Sequence, residues 1–248
     1  MNDSGKISRI LKKLKQVFPN SGAMELGDPF RTLVAVMLSA RTRDEQVLKL
    51  LPGLFESFPT VERLATATVL QIESRINTIG MYRQKAKNLK AMAERLVRAE
   101  GAERGVVPRT MEGLTELPGV GRKTASVVLL ACFGEPAIAV DTHVHRVTNR
   151  LGWVKTNAPG KTEMALRQVV PKSMWRSVNQ VFVKFGRYVC IPGRPRCWMC
   201  PIQADCPYKN KMLVPPKEAD LIREANKRRE DKLEADRQAV ADYGKPGS

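Results

Sequence analysis

Apolar residues recur at intervals of three and four along most of this chain, a spacing that places them on one face of an α-helix. Between Ser8 and Phe18, for example, apolar side chains stand at positions 10, 11, 14, 17 and 18. No stretch alternates apolar and polar residues for long enough to make a half-buried strand. The pattern therefore predicts an all-α protein.

Proline, glycine and capping residues set the expected helix boundaries. Asp28 is expected to cap the second helix with Pro29 in its first turn, and Pro52-Gly53 is expected to stop the third. The predicted helices are 8–18, 29–38, 44–51, 61–65, 68–76, 83–99, 110–116, 122–132, 142–151, 161–169 and 173–188.

The charge balance points to a polyanionic partner. Forty-two Lys and Arg stand against 25 Asp and Glu, a net charge of +17. Positions 211–248 hold nine basic and eight acidic residues, so residues 1–210 keep a net charge of +16. Such a surface binds phosphate backbones without regard to sequence, and this affinity falls with salt. The charge alone leaves DNA binding, RNA binding and a merely soluble basic protein open, and a solvated, charged C-terminal tail is expected from 211 onward.

Two features bear on the cellular location. The longest uncharged stretch, Thr124 to Gly134, is far shorter than the roughly 18 apolar residues of a membrane helix, and the chain opens without a signal segment. We therefore expect a protein of the cytoplasm, associated with the nucleoid if it is bacterial, and no membrane partner. We also expect the protein to be a monomer.

The turn at Leu117-Pro118-Gly119-Val120-Gly121 leads directly into a helix at Arg122. Gly119 and Gly121 are expected to take backbone angles closed to other residues and to leave their neighbouring amides uncovered. These amides and the N-terminal end of the helix form an anion site that fits a backbone phosphate.

The string from Leu117 to Ala125 resembles the helix-hairpin-helix signature, and the resemblance to endonuclease III and its relatives extends over most of residues 26–208. It implies that Gly119, Val120 and Gly121 grip the phosphodiester beside a lesion and that Lys123 is an amine nucleophile. Without further residues, Lys123 would be interpreted only as a phosphate contact.

The segment from Val140 to Val147 resembles the catalytic aspartate segment of the same family. Asp141 follows an apolar run and precedes a helix, so its carboxylate is expected at a positively polarised helix start. The resemblance implies that Asp141 faces Lys123 across a cleft. His143 matches a family histidine that contacts phosphate, whereas His145, two positions on, should point to a different face of the helix.

The resemblance implies a bifunctional DNA glycosylase and AP lyase of base excision repair that acts on duplex DNA with damaged bases or abasic sites. The expected substrates are oxidised pyrimidines, and strand cleavage follows by β-elimination through a Schiff base on the lysine. Adenine-specific relatives usually carry Ser where Lys123 stands and Glu where Ala35 stands. This chain has Lys and Ala at these two positions, so it lacks both residues that are typical of the adenine-specific relatives.

Family members fill the space of an extruded nucleotide with two side chains. The matching positions here are Arg41, where Gln is common, and Met81, where Leu is usual. Arg can stack on bases and donate hydrogen bonds, and Met is a softer apolar wedge. Without the resemblance, both would be interpreted as ordinary surface residues.

Four of the five cysteines lie within 17 residues, which favours a metal site over disulfides. Their spacing alone leaves zinc and an iron-sulfur cluster open. The resemblance implies a [4Fe-4S] cluster whose loop presents Arg194 and Arg196 to DNA, while Cys132 is expected in the core. The proposed ligands are Cys190, Cys197, Cys200 and Cys206.

The resemblance also implies a two-domain helix-hairpin-helix DNA glycosylase fold. A six-helix domain is expected at 28–135, an iron-sulfur cluster domain at 1–27 and 136–210, and the charged tail at 211–248. Two competing hypotheses are a DNA-binding module that keeps the hairpin but does no chemistry, and an RNA binder stabilised by zinc.

Overall fold

The structure is a computed structural model, and it describes residues 3–18, 26–99, 101, 104–217, 220 and 227. Within these residues it contains helices and no β-strand, so the predicted all-α fold class is confirmed. The α-helices are α1 Asp3–Val17, α2 Pro29–Leu38, α3 Asp44–Ser57, α4 Val61–Thr66, α5 Val69–Ile76, α6 Tyr82–Val97, α7 Met111–Thr115, α8 Arg122–Cys132, α9 Thr142–Arg150, α10 Pro159–Val169 and α11 Trp175–Tyr188. Short 3-10 helices occupy Lys172–Met174 and Cys197–Met199. Across this described part, no helix combines the length and hydropathy that a membrane crossing requires.

Polar caps explain why several helices begin where they do. The Asp28 carboxylate accepts a 2.7 Å hydrogen bond from the Arg31 amide at the start of α2, as expected. Thr68 and Gln71 form a reciprocal capping box at the start of α5. Each cap satisfies an amide that has no partner inside its own helix, which fixes the first turn.

The expected end of the third helix at Pro52-Gly53 is wrong. Helix α3 continues to Ser57 with Pro52 inside it. Leu54 and Phe55, beyond the proline, are buried in the same hydrophobic core as Leu51. Burial of these apolar side chains outweighs the hydrogen bond that proline cannot donate.

Two large hydrophobic clusters make up most of the core. The first cluster draws its buried residues from α2 to α8, between Phe30 and Ala137. The second joins α1 to the later helices, from Ile7 to Leu14 and from Ile138 to Ile202. The clusters meet between residues 137 and 138, near the boundary expected from the sequence, while the division into domains stays a prediction.

A small third cluster lies where the two larger ones meet. It consists of Val36 from α2, Val127 from α8 and Ala139 from the segment before α9. The Ala139 carbonyl also accepts a 2.9 Å hydrogen bond from the Asn179 side chain on α11. Elements of both large clusters are thereby held together beside the starts of α8 and α9.

Candidate active site

The hairpin turn before α8 is closed by a hydrogen bond of 3.0 Å from the Val120 amide to the Leu117 carbonyl. Gly119 adopts a φ of +78°, and a Cβ atom at this position would lie 2.8 Å from the Cβ of Asn88 on α6. Both the backbone conformation and the close approach of α6 therefore require glycine.

Gly121 differs from the expectation. Its φ is −92° and its ψ is 171°, an extended conformation that any residue can adopt, and a Cβ would meet no atom within 4 Å. Gly121 is the N-cap of α8 and provides no side-chain cap. The first-turn amides of α8 therefore lack a capping side chain, and they could bind an anion.

Lys123 lies in the exposed first turn of α8. Val127, one turn further along this helix, packs against Ala139, which is two residues before Asp141. This packing brings the turn that carries Lys123 and the segment that carries Asp141 to the same junction of the two large clusters. The two side chains do not form an ion pair.

Asp141 is the N-cap of α9, as expected from the sequence. Its Oδ1 atom accepts hydrogen bonds of 2.9 Å from the His143 amide and 2.8 Å from the Val144 amide. Within the described residues, Oδ2 has no hydrogen-bond partner. The carboxylate is thus held by one oxygen and can receive a proton or face a positive charge with the other.

The two histidines of α9 point in different directions, as expected. His143 packs against Gly186 of α11, where a Cβ would lie only 2.8 Å from the His143 Cβ. Burial lowers the pKa of His143, the charge of Asp141 opposes this shift, and nearby Arg146 adds to it. The His145 Nδ1 instead lies 2.6 Å from the Thr162 Oγ1 on α10.

An ion-pair group anchors the residue before Lys123 to α10. Arg122 donates bonds of 2.9 Å and 2.7 Å to the two carboxylate oxygens of Glu163. Arg167 pairs with the same carboxylate at 3.0 Å, and the Glu163 side chain is only 4% exposed. No local pattern in the sequence points to Glu163, because its arginine partner on α8 lies 41 positions away.

Arg41 and Met81 are the only non-glycine residues with positive φ in the described part of the chain, at 55° and 59°. Both side chains are exposed, so burial does not account for either conformation. The left-handed region costs a residue with a Cβ about 1–2 kcal/mol. Backbone strain of this kind concentrates at functional sites.

Arg41 and Met81 line one cavity together with Gly119 of the hairpin. The cavity lies between the end of α2, the start of α6 and the hairpin turn. Lys85 forms part of its wall and is 8% exposed. Sequence reasoning missed Lys85, since a lysine on an amphipathic helix is normally solvated.

The four clustered cysteines line a second cavity, together with Arg150 and Arg196. The Arg150 Nη1 atom lies 3.4 Å from the Cys190 Sγ and donates a 2.7 Å bond to the Ile191 carbonyl. Burial raises the pKa of Cys200 to about 11 and also raises that of Cys190, which opposes ionisation of both thiols when no metal is bound.

Four thiolates are a ligand set that both zinc and an iron-sulfur cluster accept. In the described residues, no group of three or more His, Cys, Asp or Glu side chains is arranged to hold a metal ion. Arg194 and Arg196 are exposed on the loop, and Cys132 packs against the first core cluster, as expected.

Comparison with known proteins identifies the family. Residues 34–172 match the HhH-GPD superfamily base excision DNA repair proteins. Endonuclease III of Thermotoga maritima is 43% identical over 202 residues, covering 82% of this chain and 92% of the relative. Endonuclease III of Escherichia coli is 38% identical over 210 residues, covering 83% and 96%.

Solved structures give the same result. A structure described as a trapped endonuclease III–DNA covalent intermediate, an estranged-adenine complex, aligns with a TM-score of 0.76 and 37% identity. The alignment covers 84% of this chain and 97% of that structure. The chain therefore belongs to the HhH-GPD superfamily of base excision DNA repair proteins and, within it, to the endonuclease III family.

Proposed function

We propose that this protein is a DNA glycosylase and AP lyase of base excision repair, acting on double-stranded DNA. The observation that carries the proposal is the junction of the two large clusters. There the contact of Val127 with Ala139 joins α8, whose first turn carries Lys123, to the segment that ends at the capped carboxylate of Asp141, and this contact supports the proposal. A basic chain with an open helix start beside this amine can hold the phosphate backbone of its substrate.

The proposed reaction begins with extrusion of the damaged nucleotide from the stack. The Lys123 nitrogen, after losing a proton, forms a bond to the deoxyribose C1′, and the bond from C1′ to the base breaks with the electron pair leaving on the base. Asp141 stabilises the positive charge that develops on the sugar and serves as a proton acceptor.

The nitrogen lone pair then forms a double bond to C1′ while the bond from C1′ to O4′ breaks and O4′ takes up a proton, which opens the sugar and leaves an iminium on Lys123. Strand cleavage follows from this iminium. The iminium makes a proton on C2′ acidic, and its removal drives expulsion of the phosphate from C3′. Hydrolysis of the imine then regenerates the amine. A hydroxyl at position 123 could not form this intermediate, which is why the lysine predicts a lyase as well as a glycosylase.

The hairpin residues Gly119, Val120 and Gly121 are proposed to hold the phosphate next to the lesion. We propose that Arg41 and Met81 enter the duplex where the nucleotide has left, and that His143 contacts phosphate. Arg194 and Arg196 would meet the backbone from the cysteine loop. Oxidised pyrimidines are the proposed substrates and the cytoplasm the proposed location.

We propose that Cys190, Cys197, Cys200 and Cys206 hold a [4Fe-4S] cluster. The four thiols line one cavity, and the resemblance of their spacing in the sequence to the cluster loop of the family supports a cluster over zinc. The bound cluster would supply cross-links that fold the loop, and no step of the proposed reaction passes through it.

Borohydride reduction of a mixture of the protein and abasic-site DNA tests the lyase. We expect a covalent protein–DNA adduct with the wild type and none with Lys123→Gln, whose affinity for the DNA should remain within about threefold of the wild type. DNA binding without any adduct from the wild type would instead support the non-catalytic DNA-binding module. A panel of duplexes with single lesions then tests the preference for oxidised pyrimidines.

A further inference from the structure

Lys85 links the two strained turns of the cavity. Its Nζ atom donates hydrogen bonds of 2.8 Å to the Leu38 carbonyl and 2.6 Å to the Thr42 Oγ1. These acceptors flank the turn that contains Arg41. Its backbone amide donates a 3.0 Å bond to the carbonyl of Met81. One residue thus bonds to the Arg41 turn through its side chain and to Met81 through its main chain.

The burial of Lys85 removes water from a charged ammonium group, which costs free energy. The ammonium lies in a side chain that is 8% exposed, and no acidic side chain of the described residues pairs with it. Loss of solvation by burial accordingly lowers its pKa. The loss of solvation opposes the stabilisation that its two hydrogen bonds provide, so their position at the Arg41 turn points to a role in holding that turn.

We infer that Lys85 is a positioning residue for lesion recognition, which fixes the Arg41 turn relative to Met81 so that both side chains enter the duplex at one base pair. This inference rests on the proposed function. If the Arg41 and Met81 side chains moved independently, both would have to be ordered each time a nucleotide is extruded. A fixed distance between their two turns lowers that entropic cost.

Lys90 offers a matched control on the same helix. Its Nζ atom donates 2.9 Å hydrogen bonds to the carbonyls of Ala65 and Ala67 and pairs with Glu94 at 2.9 Å, and it is absent from the wall of this cavity. The Lys85→Met and Lys90→Met variants therefore each remove a lysine that bonds oxygen atoms of another segment, with Lys90 losing an ion pair in addition. A purely structural role for Lys85 predicts similar effects from the two substitutions.

The test compares base excision with cleavage of an abasic site under single-turnover conditions. Lys85→Met should slow excision of thymine glycol about tenfold and abasic-site cleavage less than about twofold, because an abasic site has no stacked base to extrude. Lys90→Met should change neither rate by more than about twofold. Equal losses in both reactions, or equal losses in both variants, would overturn the inference.

Substitutions of Thr42 test the same contact with a smaller change, which is less prone to disturb folding. Thr42→Val removes one of the two Lys85 side-chain bonds and should slow excision about threefold, while Thr42→Ser keeps the hydroxyl and should restore the rate. No loss in Thr42→Val, or an equal loss in Thr42→Ser, would contradict the inference.

Fluorescence of 2-aminopurine placed beside the lesion separates this inference from the proposed function. The signal rises when the neighbouring base unstacks, and it requires binding but no chemistry. With saturating protein, Lys85→Met should give a smaller rise than Lys90→Met. An undiminished rise would refute the positioning role even if the wild type excised no base, and failure of the wild type to trap abasic DNA would refute only the lyase.

Discussion

Replacing Glu163 by Gln should loosen the start of α8, where Lys123 lies. The wild-type carboxylate accepts two bonds from Arg122 and pairs with Arg167. Glutamine has the same size and shape as glutamate, but its amide group is uncharged and has only one acceptor oxygen for these cationic donors. At least one charge-assisted bond is lost, and such bonds contribute about 1.5–3 kcal/mol each.

The exposure of the two arginines limits the cost of this substitution. Their side chains are 51% and 35% exposed, so water can solvate part of the charge that Glu163 leaves behind. We therefore expect a loss of about 2–3 kcal/mol in the free energy of unfolding, at the lower end for a broken buried pair. For a chain of this size, that loss corresponds to a fall in Tm of roughly 4–12 °C.

Circular dichroism at a helix band measures Tm, and borohydride trapping measures the rate of imine formation. We expect Glu163→Gln to trap abasic DNA about tenfold more slowly, because a shift of α8 misplaces the amine. Glu112→Gln is the control, since Glu112 is exposed and acts on Arg122 only through its charge. Equal effects of the two substitutions, or an unchanged Tm in Glu163→Gln, would refute the anchoring argument.

Three further predictions concern other parts of the molecule. Gly119→Ala should cost at least about 1 kcal/mol of stability, whereas Gly121→Ala should melt near the wild type, since only Gly119 has a positive φ and a crowded Cβ direction. Cys200→Ser should lose most of the iron, about four atoms per chain in the wild type, while Cys132→Ser should keep it. Because burial lowers the pKa of His143, the unfolded chain binds more protons, so stability should fall as pH drops below about 6.5. Urea titrations at pH 7.5 and 5.5 should show a smaller fall in His143→Gln.

Local signals in the sequence were sufficient to place most helices. The bounds of α2 and α8 agree with the structure because Asp28 with Pro29 and the hairpin glycines act over a few residues. The end of α3 could not be predicted in this way. Pro52 is a local stop signal, and only the distant core that covers Leu54 and Phe55 explains why the helix continues.

The candidate site shows the same division. Lys123 and Asp141 stand in recognisable motifs, and the cap made by Asp141 follows from its place before a helix. Lys85 and Glu163 act through partners 47, 43 and 41 positions away, and no pattern in the sequence joins them. Residues that position a motif are therefore harder to find from sequence than the motif itself.

The positive φ angles of Arg41 and Met81, beside the cavity, lower the stability of the folded chain. A chain under selection only for stability would place Gly or Asn where φ is positive. Gly80 stands directly before Met81, yet the left-handed conformation falls on the methionine. At 55% exposure its side chain gains little from burial in the free protein. The same holds for exposed Arg41, and the two conformations together support the proposal that these side chains enter a DNA duplex.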